Sequence, residues 1–190
     1  SSTSRGLGDV YKRQASDTTV VNVTSNTTFA PTSSSSAVIT SVGFQPVTLQ
    51  TMEGVTIGGN SGNLTLNVQT PAGVATTTLT PGATRDAGDV QVDALIPMNF
   101  KNLGLTGQLV LIDGDANDTF VYLGTQVNDS FVVSAAGLVN LNSQITVNPA
   151  QAANLQLRGL NGNDHFQVSG TNAYLSIDVE GDLSLIHISE

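Results

Sequence analysis

Seven side chains with hard oxygen or amide donors sit in three short loops of this chain. Asp113, Asp115, Asn117 and Asp118 fall within DGDANDTF, Asp129 within NDSF, and Asn161 and Asp164 within LNGNDHF. Calcium takes six to eight oxygens, and carboxylates together with turn carbonyls can supply them. These seven residues are therefore candidate calcium ligands. The same residues have a purely structural use. Asn and Asp hydrogen-bond their own backbone in turns and tolerate left-handed conformations. The structural reading is the stronger of the two, because the acids recur with the sequence pattern, as turn residues do.

Other chemistry is poorly supplied. DGDAND opens with the D-x-D-x-N spacing of an EF-hand loop. However, Asp118 stands where Gly is required and Gly124 stands where the final Glu belongs, so that reading fails. Two carboxylates held at a set separation could cleave a glycosidic bond, but few aromatic residues are present to grip a sugar. The chain has no cysteine, which excludes disulfides and thiolate metal sites. It has two histidines, His165 and His187, and no G-x-S-x-G turn to present a nucleophilic serine. His165 falls in an alternating segment and is expected on the polar face. No catalytic residue and no cofactor other than calcium is assigned, and the chain is expected not to be an enzyme.

The elements that must position these loops are short. Segments such as Val38–Val42, Val55–Ile57, Leu64–Val68, Leu109–Ile112, Phe120–Leu123, Phe131–Val133, Leu155–Leu157 and Phe166–Val168 are short and apolar or alternate apolar with polar residues, and are separated by Gly, Asn and Asp. They are rich in Val, Ile, Thr and Phe, as strands are. No sustained helical stripe occurs. Three stretches align: VTIGGNSGNLTLNV (55–68), LVLIDGDANDTFVY (109–122) and LQLRGLNGNDHFQV (155–168). Each has an apolar strand, a Gly/Asn/Asp loop and a second strand. NDTF at 117–120 recurs as NDSF at 128–131. Such repeats suggest stacked units sharing one core. The expected fold is all-β: a parallel β-solenoid or β-helix-like stack of short strands, with an antiparallel β-sandwich as the alternative. Phe120, Phe131 and Phe166 are expected as interior anchors.

The ends follow a different logic. LGDVYKRQ at 7–14 and LSLIHISE at 183–190 can be encoded by the two strands of one DNA segment. No selection on protein structure links such ends, and the pair resembles translated sequencing-library adapter. Residues 1–14 and 183–190 are thus expected to be artefact. Residues 15–36, rich in Ser and Thr, read as a linker or the end of a preceding unit, with Ser33–Ser36 its most flexible point. Residues 37–182 read as the repetitive β domain, with units near 37–70, 88–134 and 137–170. Between residues 15 and 182 only Arg85, Lys101 and Arg158 are basic, against thirteen acids. So cation-poor a segment is a poor ligand for nucleic acid or anionic membrane. No apolar run is long enough for a membrane-spanning helix, so no membrane insertion is expected.

The stretch from Leu109 to Gly170 resembles the G-x-G-N-D-x-F β-repeats of very large exported proteins of environmental bacteria. It carries DGDANDTFVYLGTQVNDSFVV and GLNGNDHFQVSG. The resemblance implies a structural or adhesive segment of a secreted or cell-surface bacterial protein. Its implied partners are neighbouring repeats of the same parent chain and, beyond them, surface glycan or matrix protein. GLNGNDHFQ (159–167) also resembles the haemolysin-type calcium nonapeptide, with Gly159, Gly162, Asp164 and Phe166 in place and Leu160 replacing the second Gly. That resemblance implies calcium. It also places the copies in tandem, which they are not here.

Overall fold

In the computed structural model the described residues are 17–112, 115, 117–149, 151–181 and 187–189. Among them no helix occurs. The strands are β1 (Thr18–Asn22), β2 (Thr27–Ser33), β3 (Ser36–Ser41), β4 (Val47–Leu49), β5 (Gly54–Gly58), β6 (Thr65–Gln69), β7 (Thr76–Pro81), β8 (Gly88–Val92) and β9 (Met98–Lys101). They continue as β10 (Gln108–Ile112), β11 (Thr119–Leu123), β12 (Ser130–Val133), β13 (Val139–Leu141), β14 (Thr146–Asn148), β15 (Asn154–Arg158), β16 (His165–Val168), β17 (Ser176–Glu180) and β18 (His187–Ser189).

The strands form two sheets. The first runs β1-β5-β9-β8-β7-β11-β15-β17, and the second runs β18-β16-β12-β13-β14-β10-β6-β2-β3-β4. Neighbours such as β5 and β9, or β6 and β10, pair in parallel. Three antiparallel meanders interrupt this pattern: β2-β3-β4, β7-β8-β9 and β12-β13-β14. The architecture is thus all-β with two mixed sheets, not a purely parallel stack. Its antiparallel part is what the sandwich alternative anticipated. The reason is local. Tight turns between short Val- and Thr-rich segments favour hairpins, and each hairpin sends the chain back beside itself before it crosses to the other sheet.

Two of the meanders interlock. Between the β9–β10 and β11–β12 connections, the first sheet contains β8 and β7, and the second contains β14 and β13. The turn after β7 reaches the turn after β13, where the Ile145 amide donates to the Arg85 carbonyl at 3.0 Å.

Alternate residues of each strand point inward, as the two-residue period requires. Leu66, Val68, Leu109, Leu111, Leu155 and Leu157 are buried with their counterparts from both sheets in one continuous core. Phe120, Phe131 and Phe166 lie inside, as expected. Phe131 stacks on Phe166 with centroids 5.1 Å apart. Tyr122 meets Phe131 edge-on at 5.7 Å and Phe120 at 6.3 Å. This aromatic row spans neighbouring strands and both sheets.

Much of the Ser/Thr-rich stretch at 15–36 is strand. From residue 18 it carries β1 and β2, and Ser33–Ser36 is the tight end of the β2–β3 hairpin. Its strands TTVVN and TTFAPTS combine Thr with Val and Phe, so strand propensity prevails over the flexible composition. Residues 1–14 lie outside the described residues. Of 183–190, only 187–189 are described, as the short strand β18 beside β16.

Candidate functional site

The aligned stretches are strand–loop–strand arches that cross from one sheet to the other. β5–β6 and β15–β16 run from the first sheet to the second, and β10–β11 runs the opposite way. The connection β11–β12, which carries NDSF, is a further arch. This alternation separates the candidate ligands. Asp115, Asn117 and Asp118 lie before β11, whereas Asp129, Asn161 and Asp164 lie at the other end of the strands. Five residues of β11 intervene, about 17 Å at ordinary strand rise. Asp113 falls outside the described residues.

Asp118, Asp129 and Asp164 are all buried, at 1%, 2% and 1% exposure. A buried carboxylate must be compensated by donors, and backbone amides provide them here. Asp118 Oδ1 accepts from the Ala75 amide at 2.8 Å, and Oδ2 accepts from the Asp115 amide at 3.0 Å. Asp129 Oδ2 accepts from the Thr125 amide at 2.5 Å. Its Oδ1 accepts from the Thr125 hydroxyl at 2.9 Å and from Asn142 Nδ2 at 2.6 Å. Asp164 Oδ1 accepts from the Asp129 amide at 3.0 Å, which ties adjacent arches together. Each acid thus closes a loop or bridges two loops. Asp115 is exposed and binds the Gly73 amide through Oδ2.

Asparagines at corresponding loop positions do related work. Asn128 Oδ1 accepts from the Asn163 amide at 2.8 Å. Asn26 and Asn63 do the same for the amides of Thr65 and Thr106. Asn161 donates to Gln126 Oε1 at 2.5 Å. The result is a ladder in which one loop's side chain caps the next loop's backbone. Asn63 has φ 58°, a conformation Asn adopts more readily than most residues.

Glycine completes the loop grammar. Gly124 and Gly159 stand five residues before Asp129 and Asp164. A Cβ on Gly159 would lie 2.0 Å from Asp164 Oδ2, and one on Gly124 would lie 2.4 Å from Asp129 Oδ2. The carboxylate folds back onto the bare glycine. In the first copy Leu64 replaces the Asp and is buried in the core, and the equivalent Gly59 faces the Asn102 carbonyl instead. The second glycine of the calcium nonapeptide is Leu160 here, held at φ 63°.

Among the described residues, no three His, Asp or Glu side chains converge. His165 is half-buried at the start of β16, and its amide donates to the Asp129 carbonyl at 2.8 Å. Burial and, secondarily, the Asp129 charge push the Tyr122 phenol well above its ordinary value of 10.0. Burial raises Tyr174 likewise, and its hydroxyl donates to the Gly137 carbonyl. Reasoning from sequence found the Asp residues. It missed their glycine partners, which the G-x4-D spacing signals, and Asn142, which lies 13 residues from Asp129 and carries no local signal. No protein-family model matches the chain, and neither curated proteins nor solved structures yield a match.

Proposed function

We propose that this chain is a non-catalytic structural or adhesive segment of a larger exported, cell-surface bacterial protein, built as a β-solenoid-like stack. One observation carries the reading: the recurring Asn and Asp residues spend their oxygens on the backbone amides of their own and adjacent loops. A side chain so used stabilises a stack and is not held in reserve for a substrate. Asp118 and Asp129 already accept hydrogen bonds on both oxygens, and Asp118 is a full strand length from Asp129. Asp129 and Asp164 lie in adjacent arches, but carboxylates buried and bonded to their own loops in this way do not suit a paired-carboxylate mechanism. The resemblance of residues 109–170 to exported β-repeats points the same way, with neighbouring repeats, and beyond them glycan or matrix protein, as partners.

The test is a thermal melt of the chain with millimolar calcium and with chelator. The structural reading expects coincident melts. A calcium-dependent rise of many degrees would mean that the loops bind metal in the folded state, because a ligand that binds only that state stabilises it. Calcium would then be a cofactor of the segment, and the calcium-dependent binding module would replace the structural reading.

A further inference from the structure

Asn161 is followed by Gly162, and no other asparagine in the chain precedes a glycine. The pair forms the bend of the β15–β16 arch, with Asn161 exposed and Gly162 half-buried. Asparagine is thermolabile because its side-chain carbonyl carbon is one ring closure away from the next residue's backbone nitrogen. A side chain on that next residue shields the nitrogen, and a hydrogen bond from its N–H ties it down. Gly162 has neither protection. It carries no Cβ, and among the described residues no group accepts a hydrogen bond from its amide. The neighbouring amides of Asn163 and His165 do donate, to Asn128 Oδ1 and to the Asp129 carbonyl. The Asn161 side chain is tethered through Nδ2, to Gln126 Oε1 in the adjacent arch.

We infer that Asn161 is a site of spontaneous deamidation in the folded chain, and that its isoaspartate product loosens the join between the β11–β12 and β15–β16 arches. Hydroxide removes the Gly162 amide proton, and the nitrogen attacks Cγ of Asn161. The Cγ–Nδ2 bond breaks, and Nδ2 leaves as ammonia with a proton from water, which regenerates the hydroxide. A five-membered succinimide remains. Water then opens it at either carbonyl. Breaking the new N–Cγ bond gives aspartate, and breaking the original peptide bond gives isoaspartate. Isoaspartate sends the main chain through Cβ and Cγ and so adds one methylene to the arch. The arch has no slack for it. A Cβ on Gly162 would already lie 2.6 Å from the Val127 carbonyl carbon and 2.7 Å from the Asn128 nitrogen, so the two loops touch backbone to backbone. Just beyond, Asn128 Oδ1 holds the Asn163 amide at 2.8 Å, and Asp164 Oδ1 holds the Asp129 amide at 3.0 Å. Both products also replace the Nδ2 donor to Gln126 with a carboxylate. The inference needs only this chain and does not rest on the parent-protein reading.

Ageing the whole folded chain at mildly alkaline pH, followed by trypsin digestion and mass spectrometry, tests it. The tryptic peptide that follows Arg158 should gain one mass unit, and fragmentation should place the gain at Asn161. The rate should rise in proportion to hydroxide and should exceed that of Asn163 and Asn172 in the same peptide. A protein isoaspartyl methyltransferase should label the aged protein and not the fresh one. Asn161→Gln, whose longer side chain disfavours the ring, should fold normally because the site is exposed, and should show neither the mass gain nor the label. The aged protein should melt below the fresh protein, and aged Asn161→Gln should melt where it did before. An intact Asn161 in folded chain, under conditions that convert it in urea-unfolded chain, would overturn the inference. So would a gain as fast at Asn163 or Asn172. An unchanged Tm in protein rich in isoaspartate would overturn the loosening of the arches.

Discussion

Replacing Gly159 by Ala tests the loop grammar most directly. The backbone there has no left-handed requirement, so the effect comes from space alone. The added methyl would sit 2.0 Å from Oδ2, 2.6 Å from Cγ and 3.0 Å from Cβ of Asp164, with no other group among its nearest neighbours. Asp164 must swing away, and its hydrogen bond from the Asp129 amide must lengthen or break. A hydrogen bond to a charged group is worth about 1.5–3 kcal/mol, and overpacking a buried site adds about 1–3 kcal/mol. The expected loss is about 3–5 kcal/mol. For a chain of 190 residues, that corresponds to a Tm lower by roughly 6–20 °C. Thermal and urea unfolding of the variant measure it. Asp164→Ala alone loses the same hydrogen bond, so the double variant should cost clearly less than the sum of the two, by at least about 0.5 kcal/mol. A Gly159→Ala protein within about 0.5 kcal/mol of wild type, or strict additivity in the double variant, would refute the argument that the carboxylate rests on the glycine.

Further outcomes follow from the same geometry. Phe131→Ala removes the centre of the aromatic row and should cost about 3–5 kcal/mol, read from urea unfolding. Asn128→Ala leaves the Asn163 amide without its cap and should cost about 0.5–1.5 kcal/mol, read from urea unfolding. Leu160→Asn keeps the left-handed backbone at lower strain and should raise stability by up to about 1 kcal/mol. Tyr122 and Tyr174 hold their protons more tightly folded than unfolded. Below pH 10 both states are protonated and nothing changes. As pH rises past the unfolded value of 10.0, only the unfolded chain releases protons, so stability should fall. A Tm profile from pH 8 to 11 checks this, and Tyr122→Phe should flatten it.

The short apolar runs Leu109–Ile112 and Phe120–Leu123 and the alternation of Leu64–Val68, Leu155–Leu157 and Phe166–Val168 are properties of local sequence, and they sufficed to identify strands. The phenylalanine after each Asn-Asp pair was legible as core for the same reason. Strands β1, β7, β9, β13 and β14 were less legible, because they are short or rich in Thr and gain order from pairing more than from propensity. The acids could be read as turn residues or ligands from sequence. Only tertiary structure decided where their oxygens go, since the donors to Asp118 and Asp164 lie 43 and 35 residues away. It also decided that the second aligned copy crosses between sheets in the opposite sense, which puts Asp118 and Asp164 at opposite ends of the paired strands β11 and β15. Local sequence specifies which residues face inward and where the chain turns. The partner of each strand, and the sheet it joins, depend on contacts between distant segments, which no local pattern encodes.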